Sequence, residues 1–249
     1  MARGIYHRSV VAGFRRSAGA VLCVALVLAG AGAVALAARR SVPRADAHAV
    51  AVAINLRHGD LPTLKQQAGT GGSQGSGSSG GGAQLARCTG VPTEHLDDWA
   101  SVSSPTFANG GQPELQVSSA TSIAPSVARV TSDFAALSSA RGKVCLQQLL
   151  DAGLRSSAPK NASFKASIAV MSSPVTGADH TFDYRVTVVL RVTEKGLTVS
   201  VPVYADLIAF GWGQAEVVLQ VLTSLAKPSA SFERKLANVL VARARAQIG

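Results

Sequence analysis

Carboxylates are the side chains of this 249-residue sequence best suited to acid–base chemistry. Asp183 and Asp206 fall on two predicted strands and would face one cleft, where they could exchange protons with a substrate. The alternative is that both are solvated on a sheet's polar face or at its edge. The densest polar cluster is Glu94-His95 with Asp97-Asp98. This cluster lies at the start of a predicted short helix, where the helix dipole alone favours acids.

Histidine and glycine motifs indicate no metal or cofactor. None of the five histidines lies at helical ligand spacing from another, so no metal site is expected. Gly75 to Gly80 matches the dinucleotide-binding fingerprint, and Gly77 to Gly81 matches the nucleophile elbow. Neither match follows a buried strand or opens a helix, which both mechanisms require. We therefore assign no cofactor-binding and no catalytic residue.

Two aromatic side chains are candidates for recognition. Trp212 lies in the sequence Gly211-Trp212-Gly213, where it would line a pocket or plug the end of a sheet. Tyr204 and Asp206 share one predicted strand, and Asp183 lies on its neighbour. The candidate ligand or interaction surface consists of Trp212, Tyr204, Asp206 and Asp183.

The net charge of +10 is concentrated at the N-terminus and does not indicate a nucleic-acid partner. Residues 1–49 contain seven Arg and one acid, or +6, whereas the remaining chain carries 17 basic and 13 acidic residues, or +4. Between Arg16 and Arg39 lie 22 uncharged residues, Ser17 to Ala38. As a helix this run is about 33 Å long, enough to cross a hydrocarbon core of about 30 Å.

Two kinds of targeting segment fit this N-terminus. In the first, residues 1–16 are a basic cytoplasmic segment and residues 17–38 are an uncleaved transmembrane helix in the lipid bilayer. In the second, cleavage near Ala37 releases a secreted protein. The length of the apolar run and the Arg39-Arg40 pair after it favour the anchor. Both place the rest of the chain outside the cytoplasm.

Cys88 and Cys145 are the two cysteines outside the apolar run, since the third, Cys23, lies within it. Disulfides persist outside the cytoplasm, so we predict a bond between Cys88 and Cys145. The alternative is two buried free thiols. A redox site is not expected, because the sequence has no Cys-x-x-Cys motif.

The exported part is divided by a glycine- and serine-rich segment. Residues 39–87 are predicted to be a membrane-proximal segment, with a strand-like run at 49–56 and a flexible linker at 69–82. The linker contains eight Gly and four Ser. Residues 88–249 are predicted to form one extracytoplasmic domain of ordinary size.

Hydrophobic periodicity predicts both helices and strands in that domain. Pro92 to Ala100 is predicted as a short helix, and alternation predicts a strand over Leu115 to Ile123. A helix is predicted from Pro125, with Gly142 breaking it, and a second helix over Val144 to Leu154. Further strands are predicted at 164–170, 182–192, 197–209 and 215–225, the last apolar on both faces, and a final helix from Ser229.

Period-two alternation with one polar face is typical of an antiparallel sheet buried mainly on one side. Three-residue hairpin turns are predicted at 194–196 and 211–213, where glycine supplies a positive φ. The sequence therefore predicts an α+β fold. Its antiparallel sheet of about five to six strands is covered by helices and preceded by one N-terminal transmembrane helix.

Several turns and strand ends resemble those of exported proteins of high-GC actinobacteria: Cys88-Thr89-Gly90, Ser104-Pro105-x-Phe107, Val117-Ser118-Ser119, and Ala140-Arg141-Gly142 followed by Cys145-Leu146. A second set is similar to mycobacterial cell-envelope lipoproteins and to the extracellular sensor domain of a receptor serine/threonine kinase: Val201-Pro202-Val203-Tyr204-Ala205-Asp206 and Gly213-x-Ala215-Glu216-Val217. The resemblance implies a Mog1/PsbP-like fold over about residues 50–245. The sequence departs from the lipoproteins in lacking a lipobox.

These observations predict a membrane-anchored, non-enzymatic envelope protein whose extracytoplasmic domain binds a small ligand, a lipid or a protein partner. The alternative is a secreted enzyme acting on an envelope polymer or lipid, with Asp183, Asp206 or the Glu94–Asp98 cluster as acid–base groups. An enzyme should bring two or more of these carboxylates into one concave pocket. A binding module should show an apolar cavity or a flat patch without them.

Overall fold

An antiparallel sheet of nine strands organises the described part of the chain. The computed structural model describes residues 41–68, 72–73, 80–91, 97–111, 113–157, 162–194 and 197–249. The strands are β1 (Lys65–Gln66), β2 (Gly72–Ser73), β3 (Ala100–Ser103), β4 (Phe107–Ala108), β5 (Leu115–Ile123), β6 (Ala162–Val170), β7 (His180–Glu194), β8 (Leu197–Trp212) and β9 (Ala215–Ser224). Their order is β1-β4-β5-β9-β8-β7-β6, with β3 also pairing β5 and β2 pairing β3. The predicted α+β class is confirmed.

Five long strands, β5 to β9, correspond to the predicted sheet, and β1 to β4 extend it at one edge. These four have two to four residues each, too few for an alternating pattern to be recognised. β9 lies between β5 and β8, and nine of its ten residues are buried. Its sequence is apolar on both faces because helices cover both sides of the sheet.

The described ranges contain five α-helices: α1 (Ala47–Ile54), α2 (Gly80–Thr89), α3 (Val127–Ser138), α4 (Ala140–Ser157) and α5 (Ala230–Ile248). On one face, α1 and α5 share a buried cluster with β5, β8 and β9. On the other face, α3 and α4 pack against β7, β8 and β9. The sheet is therefore the middle layer of three.

The segment before residue 88 belongs to this core. Val42, Ala47, Ala51 and Ile54 are all at most 3% exposed. Val42 N donates to Gln214 Oε1 at 2.8 Å, which attaches the start of the described chain to the β8–β9 turn. The folded unit thus extends to the N-terminal side of residue 88, as far as Val42.

The side chains of Asn55 and Arg243 fix the segment at the end of α1. The Asn55 amide donates to Val102 O at 2.8 Å, and its carbonyl oxygen accepts from Ser119 Oγ at 2.8 Å. Arg243 of α5 donates to both carboxylate oxygens of Asp60 at 2.7 and 2.8 Å. The N-terminal segment is therefore joined to the sheet and to the last helix.

The prediction of a strand at 49–56 is wrong, because residues 47–54 form α1. Alanine is the strongest helix former. The buried residues Ala47, Ala51 and Ile54 are spaced by four and three positions, as on one face of a helix. The alternation of alanine with valine imitated a period of two.

The break between α3 and α4 falls at Ser139 rather than at the predicted Gly142. Gly142 lies in the first turn of α4. A Cβ there would contact Ala136 O and lie 2.7 Å from Leu137 Cα. Glycine is needed because α4 passes very close to the end of α3. Pro125 also precedes the N-cap, Ser126, instead of lying in the first turn of α3.

Two other local predictions differ from the structure. The β8–β9 turn is Gly213-Gln214, because Trp212 already pairs with Ala215, and Gly213 takes the positive φ of 57° that a two-residue hairpin favours. The helix predicted over Pro92 to Ala100 is not seen in its described part. Ala100 starts β3 and residues 97–99 are not helical, while residues 92–96 lie outside the described residues.

None of the helices in the described ranges is long and apolar enough to cross a bilayer. The predicted span, residues 17–38, lies outside those ranges. In the predicted linker, residues 72–73 form β2 and α2 begins at Gly80.

Candidate functional site

Three carboxylates and one arginine form a buried group between the sheet and α5, here called the α5-side cluster: Asp183, Arg185, Asp206 and Glu233. Arg185 of β7 pairs directly with Asp206 of β8 in the register, and Asp183 lies two residues earlier on the same face. Glu233 comes from the first turn of α5. Arg185 Nε donates to Asp206 Oδ1 at 2.7 Å, and Arg185 Nη2 donates to Oδ2.

The α5-side cluster has more acids than its one guanidinium can balance. Asp206 is 1% exposed, and Asp183 and Glu233 are also buried. Burial, and then the nearby Asp206, raises the pKa of Asp183 to about 7, against the opposing effect of Arg185. Burial, and then a hydrogen bond with Asp206, raises the pKa of Glu233 to about 8. The cluster therefore exchanges protons near neutral pH.

Asp183 and Asp206 thus lie together on one face of the sheet. They are 5% and 1% exposed, and Glu233 of α5 lies beside them, so neither is solvated at an edge. The alternating polar residues of β7 on this face, Asp183, Arg185 and Thr187, have the pattern of a solvent-facing strand. The sequence pattern does not reveal that a helix buries this charged face.

Tyr204 and Trp212 lie on the same face of β8 as Asp206, but far apart along the strand. Tyr204 is half-buried opposite Thr187, two residues from Asp206. Trp212 lies six residues from Asp206, or roughly 20 Å at 3.3 Å per residue. The four predicted residues therefore do not make one continuous surface.

Trp212 marks the end of the sheet that contains the β8–β9 turn, here called the turn end. The guanidinium carbon of Arg245 lies 4.8 Å from the centroid of the Trp212 ring, in a cation–π contact. Arg245 Nη2 also donates to Gly177 O at 2.7 Å. Asp179 accepts a hydrogen bond from Gly213 N at 3.0 Å. Trp212 itself is half-buried and packs against the edge of the hydrophobic core.

A second charged group lies on the opposite face of the sheet, here called the α3-side cluster: Asp98, Arg129, Asp133 and Glu216. Arg129 Nη2 lies 3.0 Å from Asp98 Oδ1, and Arg129 Nε lies 3.7 Å from Asp133 Oδ2. Burial, and then the neighbouring Asp133 and Asp98, raises the pKa of Glu216 well above its usual value. Burial raises the pKa of Asp133 to about 8, although its hydrogen bond with Glu216 opposes this rise.

Sequence reasoning identified only one member of the α3-side cluster. Asp98 belongs to the predicted Glu94–Asp98 cluster, of which Glu94 and His95 lie outside the described residues. Glu216 carried a usable signal, because it is a carboxylate within β9, a strand predicted to be apolar on both faces. A charge at such a position requires a buried partner.

Both clusters are enclosed by helices, and their members are largely buried. Within the described ranges, no three His, Cys, Asp or Glu side chains are placed to hold a metal ion. The arrangement can store protons and fix the helices on the sheet.

A groove of about 470 Å³ opens between the C-terminal part of α4 and the edge strand β6. Its lining residues are Asp151, Leu154, Arg155 and residues 162–166. Leu154 and Phe164 supply apolar surface, and Asp151, Arg155 and Lys165 supply charges of both signs. The volume lies in the range of about 300–1,000 Å³ that is typical of small-molecule sites. The sequence did not reveal the groove, because α4 and β6 each have an ordinary amphipathic pattern.

The apolar face of the sheet continues beyond the groove. Phe164 pairs with Leu190, which pairs in turn with Val201. Past this row, Leu197 is 75% exposed and Val199 is 53% exposed on β8. The end of the β7–β8 hairpin, here called the hairpin end, therefore carries uncovered apolar side chains.

Cys88 of α2 and Cys145 of α4 form a disulfide with a Cα–Cα distance of 5.8 Å. Cys145 is 2% exposed and packs with Val130 and Phe134 of α3. Arg141 Nε donates to Cys88 O at 2.7 Å beside the bond. The disulfide therefore attaches α2 to the helical layer, and the alternative of two free thiols does not hold.

Comparisons with known proteins give one structural similarity. No protein-family model matches the sequence, and no curated protein matches it at a significant level. Among solved structures, the chain is similar to the extracellular domain of PknH from Mycobacterium tuberculosis. The identity is 11%, the match covers 84% of this chain and 100% of that chain, and the TM-score is 0.41.

Proposed function

We propose that the protein is a membrane-anchored envelope protein whose extracytoplasmic α+β domain is a binding or sensor module. The anchor is residues 17–38, which are long and apolar enough to span a bilayer. The Cys88–Cys145 disulfide supports a location outside the cytoplasm, because such bonds are rare in a reducing compartment.

The groove between α4 and β6 is the observation that carries the binding proposal. It combines apolar surface from Leu154 and Phe164 with charges from Asp151 and Arg155, as expected of a site that recognises an amphiphilic or zwitterionic ligand. Asp183 and Asp206, the acid–base groups of the enzyme alternative, lie under α5 and not in this groove.

The test is purification of the native protein from its source membrane, followed by mass spectrometry of the bound molecules. Ala162→Trp would fill the groove from the edge strand, because Ala162 lines it and is only half-buried. Ser167→Trp is the matched control, since Ser167 is exposed on the other face of β6. We expect a ligand with the native protein and the control, but not with Ala162→Trp.

A ligand retained equally by both variants would place the site elsewhere. The absence of any bound molecule from all three proteins would contradict a tight-binding module. The anchor is tested separately by alkaline extraction of membranes, which releases peripheral and secreted proteins but not integral ones. Release of this protein would contradict the anchor and support cleavage near Ala37.

A further inference from the structure

The start of the described chain is fixed at the turn end of the sheet. Val42 N and Ser41 Oγ donate to Gln214 Oε1 at 2.8 and 3.3 Å. Gln214 is 3% exposed and donates through Nε2 to Ala124 O at 3.0 Å. Ser41 therefore cannot move away from the β8–β9 turn without breaking buried hydrogen bonds.

Three peptide units separate Ser41 from Ala38, the last residue of the apolar run. At 3.8 Å between consecutive Cα atoms, they reach at most about 11 Å. The Gly/Ser-rich segment cannot lengthen this tether, because it follows β1 inside the domain. If residues 17–38 span the bilayer, as the proposed function requires, the turn end must lie close to the membrane surface.

We infer that the turn end rests on the outer surface of the membrane, with Trp212, Arg44 and Arg245 at the level of the lipid head groups. Tryptophan is favoured at membrane–water interfaces, and arginine can approach lipid phosphates. Acidic residues at the same end keep it from being strongly cationic: Asp46, Asp97 and Asp179. The contact is therefore with a bilayer surface in general and does not require anionic lipid.

This placement decides which ligands can reach the groove. β8 has 16 residues between the turn end and the hairpin end, or roughly 50 Å. Phe164 in the groove lies in register with Leu190 and Val201, eleven residues along β8 from Trp212, or roughly 35 Å. With the strands standing away from the membrane, the groove opens to the envelope space. Its ligand is a water-soluble or wall-bound molecule rather than a bilayer lipid.

The test uses tryptophan fluorescence of the full-length protein in vesicles, with and without lipids that carry a nitroxide on the head group. The chain has two tryptophans, and Trp99→Phe leaves Trp212 as the only one. The matched control is Leu197→Trp with Trp99→Phe and Trp212→Phe, which moves the single tryptophan to the hairpin end. Flotation with the vesicles is measured first, and far-UV circular dichroism checks that both variants keep the fold.

We expect a marked loss of Trp212 emission in nitroxide vesicles and no loss for Leu197→Trp. A protein that floats but whose Trp212 is not quenched would overturn the inference while leaving the anchor intact. Quenching of Leu197→Trp would show that the strands lie along the membrane, which also overturns it. A protein that does not float would instead contradict the proposed anchor.

Discussion

Arg185 and Asp206 face each other across β7 and β8 and form an ion pair through two contacts, beneath α5. Their pairing leaves Asp183 and Glu233 without a guanidinium of their own. Asp183 Oδ1 has no hydrogen-bond partner among the described residues. The α5-side cluster is therefore a buried charge arrangement whose stability depends on one arginine and on protons.

Replacing that arginine should destabilise the domain strongly. Arg185→Met leaves Asp206 buried without its cation, and breaking a buried pair costs about 3–5 kcal/mol. Arg191→Met is the control, because Arg191 is exposed on the same face of β7. Urea denaturation at pH 7 should show the loss only for Arg185→Met. An equal, small effect of both variants would mean that Arg185 does not neutralise the cluster.

The stability should fall as pH rises from about 4 to about 8. Asp183 and Glu233 have folded-state pKa values of about 7 and about 8, above the ordinary values of 3.8 and 4.5. Between the ordinary and the folded-state pKa values, the folded state holds protons that the unfolded state has lost. Raising the pH across this range therefore favours unfolding. The midpoint of urea unfolding should decrease across this window.

Substituting these two acids should reduce that dependence in part, because Asp133 and Glu216 of the α3-side cluster also have raised pKa values and remain in place. Asp183→Asn and Glu233→Gln imitate the protonated forms, so each should raise the free energy of unfolding at pH 8 relative to the native protein. Asp46→Asn is the control, because Asp46 is exposed and lies outside both clusters. A curve of the same shape in the Asp183 and Glu233 variants would show that other groups control the pH dependence.

Replacing either of two glycines of α4 by alanine should have opposite effects on the stability of the domain. Gly142→Ala should destabilise, because its Cβ would lie 2.7 Å from Leu137 Cα and contact Ala136 O. Gly153→Ala should stabilise by about 0.5–1 kcal/mol, because nothing lies within 4 Å and alanine is the better helix former. Thermal unfolding compares the pair, and a stable Gly142→Ala would mean that α3 and α4 are more loosely packed than described.

Removing the disulfide should lower the free energy of unfolding by about 4 kcal/mol, because the bond restricts the conformational entropy of the unfolded chain. The two cysteines are 57 residues apart. The double variant Cys88→Ser with Cys145→Ser should melt at a lower temperature than the native protein. Reductant should lower the melting temperature of the native protein only. Alkylation of both cysteines without prior reduction would disprove the bond.

The N-terminal boundary of the independently folding domain should lie close to Val42 rather than at Cys88. A fragment of residues 41–249 keeps α1 and the residues that bind α5, so it should fold and give sharp amide resonances by NMR. A fragment of residues 88–249 exposes the surface of α5, β3 and β5 that α1 covers, so it should be unfolded or aggregated. Folding of the shorter fragment would show that α1 is dispensable.

The sequence could predict those elements whose pattern is long and regular. The bounds of β7, β8 and α5 agree closely with the prediction. These elements have 15 to 19 residues, so each contains several repeats of its hydrophobic pattern. α1 was mistaken for a strand because eight residues rich in Ala and Val fit both periods. β1 to β4 are too short to have a period at all.

The candidate sites were less predictable because they depend on packing between distant segments. Asp183 and Asp206 were correctly placed on strands, but their burial is decided by α5, which follows some 24 residues after Asp206. Asp133 and Glu216 meet only because α3 lies across β9. The groove exists where α4 ends over an edge strand, and no local pattern encodes that crossing.

The attachment of α1 to α5 makes closure of the core a long-range event in folding. Arg243 of α5 donates to Asn55 O and to Asp60 Oδ2, which lie 188 and 183 positions earlier in the chain. Because the intervening chain must be ordered before such non-local contacts form, they slow folding. Until α5 docks, the apolar face of α1 stays exposed, and a chain that stalls at this point would tend to aggregate.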